Sequence, residues 1–135
     1  MTAPLQKTQN VSSFIDGFMQ TVQNNDNLDA RFLKGVDVNQ KDYFGFTALH
    51  WAVYHSNLHN IKILLQHGSR LEASKGMNAL FCAIFYDKID VLRYFIEKGF
   101  DPAMEYNGLT LQAYAQKFKR TDMVAYLTTK QSHAA

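Results

Sequence analysis

The chain contains little cysteine and little proline. Its 135 residues include one cysteine, Cys82, and two prolines, Pro4 and Pro102. A single cysteine excludes an internal disulfide, and its apolar neighbours favour a reduced, buried thiol over a reactive one. Reduced thiols are typical of the cytosol, so we expect a cytoplasmic location. Neither proline interrupts a predicted helix, so the composition is compatible with a mainly helical fold.

The chain also lacks a strong charge and a long apolar run. Its formal net charge is +2, and neighbouring cations such as Lys119 and Arg120 are more typical of a solvated surface than of a phosphate track. No segment approaches the roughly 18 consecutive apolar residues of a membrane span, and residues 1–10 contain no hydrophobic signal core. We therefore expect neither nucleic-acid binding nor membrane insertion, although translocation into a host cell by another signal stays compatible with the sequence.

What the chain does contain is a pattern that returns at about 31 to 33 residues. The clearest copy begins at Asp42 and reads Gly45, Thr47, Ala48, Leu49, His50 and Ala52, then Ile61, Ile63, Leu64, Leu65 and Gly68. A second copy contains Gly76, Asn78, Ala79, Leu80 and Ala83, then Val91, Leu92, Phe95, Ile96 and Gly99. A weaker copy starts at Gly108 and Thr110, and a partial one ends with Phe32, Leu33 and Gly35. The apolar steps of three and four residues predict two short amphipathic helices in each unit.

The Gly-x-Thr-Ala-Leu-His-x-Ala string, followed by Leu-Leu-x-x-Gly, closely resembles the ankyrin repeat, whose signature includes Thr-Pro-Leu-His-x-Ala. The resemblance implies an all-α solenoid of stacked helix-turn-helix units joined by short hairpin loops. It places one domain at residues 13–128, with units near 13–41, 42–74, 75–104 and 105–128. Residues 1–12 and 129–135 are then polar tails, and the polar last unit is expected to be a C-terminal cap.

A set of residues is expected to build the units rather than to bind anything. Thr47 and Asn78 should cap the helices that follow them, and Gly68 and Gly99 should end helices in the left-handed conformation. The resemblance gives His50 a structural role through hydrogen bonds to neighbouring backbone. The full structural set is Gly45, Thr47, Leu49, His50, Leu64, Leu65, Gly68, Gly76, Leu80, Phe95, Ile96 and Gly99.

A second set is rich in aromatic residues and, in the register of the ankyrin repeat, falls on the hairpins and first helices that line the concave face. Aromatic side chains offer large contact areas at low rotamer cost, so this set suits protein recognition. Some rings, such as Phe46 and Trp51, are expected to pack between units instead. The predicted partner-binding residues are Tyr43, Phe44, Tyr54, His55, Met77, Phe85, Tyr86, Tyr106, Leu109, Lys117 and Phe118.

Catalytic and metal-binding residues are harder to find. The best metal candidates are His50, His55, His59 and His67, but a bend expected at Ser56 and Asn57 separates His55 from His59, so a convergent tetrahedral site is not predicted. Cys82 and His50 come from adjacent units and have no apparent third orienting group, which disfavours a nucleophilic pair. We therefore predict no catalytic residue, no metal site and no cofactor.

Three functions stay open from the sequence. The leading one is a noncatalytic module, monomeric when free, that binds a partner protein through its concave face and acts as an inhibitor, protector or adaptor. The alternative is a microbial host-directed effector, or an immunity protein that neutralises a toxin, using the same groove. A metal- or thiol-dependent enzyme is the outsider. The identity of the partner does not follow from the fold.

Overall fold

The computed structural model describes residues 17–72 and 77–134. The described part is built of short helices joined by tight turns, and one hairpin forms a small antiparallel sheet that pairs Glu105 with Thr110 and Tyr106 with Leu109. The elements in chain order are helix α1 (17–23), a 3-10 turn (Ala30–Phe32), α2 (Ala48–Tyr54), α3 (Leu58–Gln66), α4 (Ala79–Phe85), α5 (Ile89–Glu97), strands β1 (Glu105–Tyr106) and β2 (Leu109–Thr110), α6 (Leu111–Lys117) and α7 (Thr121–Ala134).

The helices pack in the order of a solenoid. The second, third and fourth units each pair a first and a second helix, α2 with α3, α4 with α5 and α6 with α7. The first helices also stack on one another, α2 against α4 and α4 against α6. One continuous core runs through the stack, and its largest fully buried side chains include Leu49, Leu64, Leu80, Phe95 and Leu111. The predicted all-α repeat architecture is confirmed.

The first and last units differ from the expected pattern. The second helix of the first unit is reduced to the 3-10 turn Ala30–Phe32, which Asp29 caps by accepting a hydrogen bond from the Arg31 N–H. Helix α7 continues to Ala134, past the domain boundary predicted at residue 128. None of the described helices is long and apolar enough to cross a membrane.

The predicted helix caps are present. Thr47 accepts a hydrogen bond from the His50 N–H at 3.4 Å, and Asn78 accepts from the Leu80 N–H at 2.9 Å. Gly68 has φ 95° and Gly99 has φ 105°, which is the left-handed conformation expected after a helix. Gly76, which was assigned to the same structural set, lies outside the described residues.

The turn between the two helices of each unit is built without glycine. Asn25, Ser56, Asp87 and Lys119 occupy equivalent positions, and all four have φ between 57° and 62°. Residues with a Cβ rarely adopt this conformation, because it brings the Cβ close to the following carbonyl oxygen. The same strained turn therefore recurs in every unit.

The two adjacent leucines of the second unit do not share one environment. Leu64 is fully buried, whereas Leu65 is only partly buried at the edge of the core. The following unit repeats this difference with Phe95 and Ile96. Leu64 and Phe95 therefore hold the deep position, whereas Leu65 and Ile96 of the predicted structural set lie at the edge of the core.

A buried asparagine joins the first unit to the second. Asn60 of α3 is fully buried. Its Oδ1 accepts a hydrogen bond from the Leu28 N–H at 2.7 Å, and its Nδ2 donates to the Asp26 carbonyl at 2.9 Å. These two bonds satisfy backbone groups of the loop that leads into the 3-10 turn Ala30–Phe32, so one amide side chain of the second unit holds the loop of the first.

Candidate protein-binding face

Nine aromatic side chains form a continuous line across three successive units. Neighbouring ring centroids in this line are between 4.9 and 6.0 Å apart. We call it the aromatic strip. Its members, in spatial order, are Phe46, Trp51, Tyr54, Tyr86, Phe85, Phe118, Tyr114, Phe81 and Tyr106.

Helical spacing explains how the strip is assembled. Trp51 and Tyr54 are three residues apart in α2, and Phe81 and Phe85 are four apart in α4, so each pair lies on one helix face. Tyr114 in α6 and Phe118, the residue that caps its C-terminus, are also four residues apart. Because the first helices stack side by side, the three faces join into one surface.

The centre of the strip is open to solvent. Tyr54 is 45% exposed and Phe85 is 42% exposed, which is high for large apolar side chains. Tyr86 lies between them, with ring centroids 5.1 Å from Tyr54 and 5.3 Å from Phe85. The three residues lie side by side, and their role in binding stays a prediction.

Tyr86 is held within the stack by a contact with His50. It is half-buried, and its hydroxyl oxygen lies 3.1 Å from Nε2 of His50. The other ring nitrogen of His50, Nδ1, lies 3.6 Å from Sγ of Cys82. Phe46 stacks on the imidazole with centroids 4.1 Å apart. His50 thus joins two units through side chains, and not through the backbone bonds that the resemblance implied.

The contact between Cys82 and His50 corrects the argument that their separate units keep them apart and that a third group is missing. The stacking of α2 on α4 brings them together, and Tyr86 orients the imidazole. Burial raises the pKa of the Cys82 thiol to about 12 and lowers the pKa of His50, against a smaller effect from Asp42. Both groups are therefore neutral near pH 7, which suits a hydrogen-bonded core contact and gives little thiolate for nucleophilic chemistry.

Asp42 holds the hairpin that begins the second unit. Its carboxylate accepts hydrogen bonds from the Phe44 and Phe46 N–H groups, both at 2.9 Å, and from the Trp51 indole at 2.7 Å. Gln23 of α1 donates a fourth bond at 3.0 Å. Partial burial raises the pKa of Asp42, but these bonds outweigh it and hold the pKa below its usual value. Asp42 thereby fixes one end of the aromatic strip.

The hairpin also presents two of the predicted binding residues. Tyr43 is 97% exposed, Phe44 is largely exposed, and their rings meet edge to face with centroids 5.7 Å apart. The Gly45 N–H donates to the Asp42 carbonyl and closes the turn that carries them. Two adjacent exposed rings on a fixed turn form a second apolar projection beside the strip.

Three further predicted residues, Met77, Leu109 and Lys117, line a cavity of about 330 Å³ at the other end of the strip. Tyr106 and Tyr114 line it too. His55, by contrast, is used within the stack, because its Nε2 lies 2.8 Å from the Gln23 carbonyl oxygen while its ring adjoins Tyr54. The predicted set thus divides into strip, hairpin and cavity, with His55 at the junction between units.

The histidines considered as metal ligands each contact a different group. His59 lies 2.8 Å from the Leu28 carbonyl oxygen through Nε2, and His67 lies 2.9 Å from the Ile63 carbonyl oxygen through Nδ1. No group of three or more His, Cys, Asp or Glu side chains with the geometry to hold a metal occurs among residues 17–72 and 77–134. Backbone contacts account for the positions of the His59 and His67 rings.

Sequence reasoning missed Asp42, Phe81 and Tyr114 as parts of this face. Asp42 had a usable signal, since aspartate at the first position and glycine at the fourth are typical of a type I turn. Tyr114 could have been found from its spacing to Phe118, which repeats the Phe81 to Phe85 spacing. Phe81 stands where His50 stands one unit earlier, and that equivalence concealed its place in the strip.

Comparison with known proteins agrees with the repeat architecture. A model of ankyrin repeats in three copies matches residues 18–105. The ankyrin repeat domain-containing protein SAT10 of Stachybotrys chartarum is 29% identical over 102 residues, which are 74% of this chain and 5% of that protein. The chain therefore spans about a twentieth of the length of this relative. The last unit, α6 and α7, lies beyond the matched residues and is defined by the structure.

Proposed function

The chain belongs to the ankyrin-repeat family, whose members are generally protein-protein interaction modules, and we propose that it is a noncatalytic module that binds a partner protein through the aromatic strip. The observation that carries this proposal is the continuity of the strip across three units, with Tyr54 and Phe85 exposed at its centre. By occupying the partner's surface, the chain would inhibit it, protect it or recruit it to another component.

The physical argument concerns the free state of the strip. A soluble chain that leaves adjoining rings in contact with water gains free energy when a partner removes them from it. Aromatic residues near the centre of an interface contribute most of the binding energy, and a tyrosine such as Tyr54 can also hydrogen-bond through its hydroxyl. The fixed turn at Asp42 and the stacked first helices hold these rings in place, which reduces the entropy lost on binding.

A thiol-dependent enzyme is less well supported. Cys82 is almost fully buried and its pKa is raised to about 12, so a nucleophilic thiolate is scarce near neutral pH. Its partner His50 is engaged on both ring nitrogens and stacked under Phe46. The geometry of this contact supports packing between units.

The test compares two exposed phenylalanines. Phe85→Ala removes a ring from the strip, whereas Phe32→Ala removes a ring that is 69% exposed on the 3-10 turn of the first unit. Partners captured from the native cell by the wild-type chain are identified by mass spectrometry, and the affinity of each purified partner is measured by calorimetry. We expect Phe85→Ala, and likewise Tyr54→Ala, to weaken binding by about 1 to 4 kcal/mol, with Phe32→Ala near zero.

Thermal denaturation of the same variants checks that they fold. Because both rings are exposed, neither substitution opens a deep cavity and the melting temperatures should stay close to that of the wild type. A partner that binds Phe85→Ala and Tyr54→Ala as tightly as the wild type would show that the strip is not the binding face.

A further inference from the structure

The cavity at the Tyr106 end of the strip is large enough to admit a bulky side chain. Its volume is about 330 Å³, at the lower end of the roughly 300 to 1,000 Å³ range of ligand pockets. Residues of α4, α6 and the β1–β2 hairpin line it; Met77, Phe81, Leu109 and Tyr114 provide apolar walls, and Asn78 and Asn107 add polar groups. A space of this size and lining accommodates a large apolar side chain.

Lys117, at the rim of the cavity, forms no ion pair with any of the described residues. Lys117 lines the opening and is exposed, and no carboxylate among the described residues lies within ion-pair distance of its ammonium group. None of the described residues that line the cavity is acidic. Glu105 precedes Tyr106 in β1, so the alternation of a strand turns it to the opposite face from Tyr106.

The position of Lys117 relates the cavity to the rest of the strip. Its Nζ lies 5.9 Å from the ring centroid of Phe118, and Phe118 in turn contacts Phe85. The cation therefore stands between the cavity and the exposed centre of the strip. A partner segment that fills the cavity and continues along the strip must pass Lys117, so an acidic group placed there belongs to a side chain within the segment and not to a chain end.

We propose that the partner contributes an extended segment that inserts an aromatic or long aliphatic side chain into this cavity. The same segment pairs an aspartate or glutamate side chain with Lys117. This inference rests on the proposed function. In an extended segment, residues two positions apart share a face. The recognised pattern is therefore an apolar residue followed or preceded, two positions away, by an acidic one.

The test uses short synthetic peptides with acetylated and amidated ends, in which Phe-Ser-Glu is flanked by glycine and serine. Matched peptides contain Phe-Ser-Gln or Ala-Ser-Glu, and a fourth ends in a free carboxylate directly after phenylalanine. Each is titrated into ¹⁵N-labelled protein, and the amide shifts of Leu109, Tyr114 and Lys117 report on the cavity. We expect the Phe-Ser-Glu peptide to shift these amides and to bind roughly two- to fivefold more tightly than Phe-Ser-Gln, as for an exposed ion pair.

Two variants that each lose one positive charge show whether Lys117 causes the preference for Phe-Ser-Glu over Phe-Ser-Gln. Lys117→Gln should bind Phe-Ser-Glu and Phe-Ser-Gln equally, whereas Lys62→Gln, on an exposed position of α3, should keep the wild-type preference. The inference is overturned if the wild type binds Phe-Ser-Glu and Phe-Ser-Gln equally, or binds Ala-Ser-Glu as tightly as Phe-Ser-Glu. It is also overturned if the peptide with the free carboxylate gives the stronger response, or if none of these amides shifts. Loss of partner affinity in Phe85→Ala would still support the aromatic strip in any of these cases.

Discussion

Asn60 offers the sharpest test of how the first unit is attached. Asn60→Ala removes the acceptor for the Leu28 N–H at 2.7 Å and the donor to the Asp26 carbonyl at 2.9 Å. Each lost hydrogen bond costs about 1 kcal/mol net, and a backbone group left unpaired in a buried site costs about 1 to 3 kcal/mol. We expect the free energy of unfolding to fall by about 2 to 4 kcal/mol, since water can reach part of the opened site.

Urea denaturation gives the overall loss, and amide hydrogen exchange locates it. The Leu28 amide should be protected in the wild type and should exchange faster in Asn60→Ala by more than the amides of α5 do. Asn24→Ala, at an exposed position in the same turn region, serves as the control and should change stability by less than about 0.5 kcal/mol. A loss under about 0.5 kcal/mol in Asn60→Ala, or unchanged protection of Leu28, would refute the role assigned to this side chain.

Three further outcomes are expected. Leu64→Ala should lower the free energy of unfolding by about 2 to 5 kcal/mol, and Leu65→Ala by clearly less, because only Leu64 is fully buried; equal losses in urea titrations would contradict the assigned register. Lys119→Gly should raise the free energy of unfolding by up to about 1 kcal/mol, because glycine has no Cβ to strain the backbone at φ 59°. A lower melting temperature than that of the wild type would show that the turn is not strained. Burial lowers the pKa of His50 in the folded chain. Below about pH 6.5 this imidazole therefore takes up a proton more readily in the unfolded chain than in the folded one, and the free energy of unfolding falls. His50→Gln should lose less unfolding free energy than the wild type between about pH 7.5 and about pH 5.5, and an equal loss would contradict this.

Local signals explain most of what the sequence predicted correctly. Capping by Thr47 and Asn78 and the left-handed Gly68 and Gly99 depend on a few neighbouring residues, so their patterns can be read directly. The repeat period then assigns the stacking of first helices without further information. The same register placed Tyr54, Phe85 and Tyr86 close together, because equivalent positions of adjacent units become neighbours in a solenoid.

The features that were missed depend on contacts between residues distant in sequence. The apolar stripe of a helix is wide enough to include both Leu64 and Leu65, and only the partner helix decides which is deeper. His50, Cys82 and Tyr86 meet across 32 to 36 residues of sequence, and the repeat period brings their helices together without fixing which side chains face one another. The loop before the shortened second helix of the first unit was unpredictable for the same reason, since Asn60 of the next unit provides its side-chain hydrogen bonds.

The place of Trp51 gives the protein a built-in optical reporter. It is the one tryptophan of the chain, and its indole lies in the aromatic strip, hydrogen-bonded to Asp42 and within 6.0 Å of Tyr54. Emission excited at long wavelength therefore originates from the surface that we propose to be covered by a partner. Docking there would change the polarity around this fluorophore, so association could be followed in solution with an unlabelled chain.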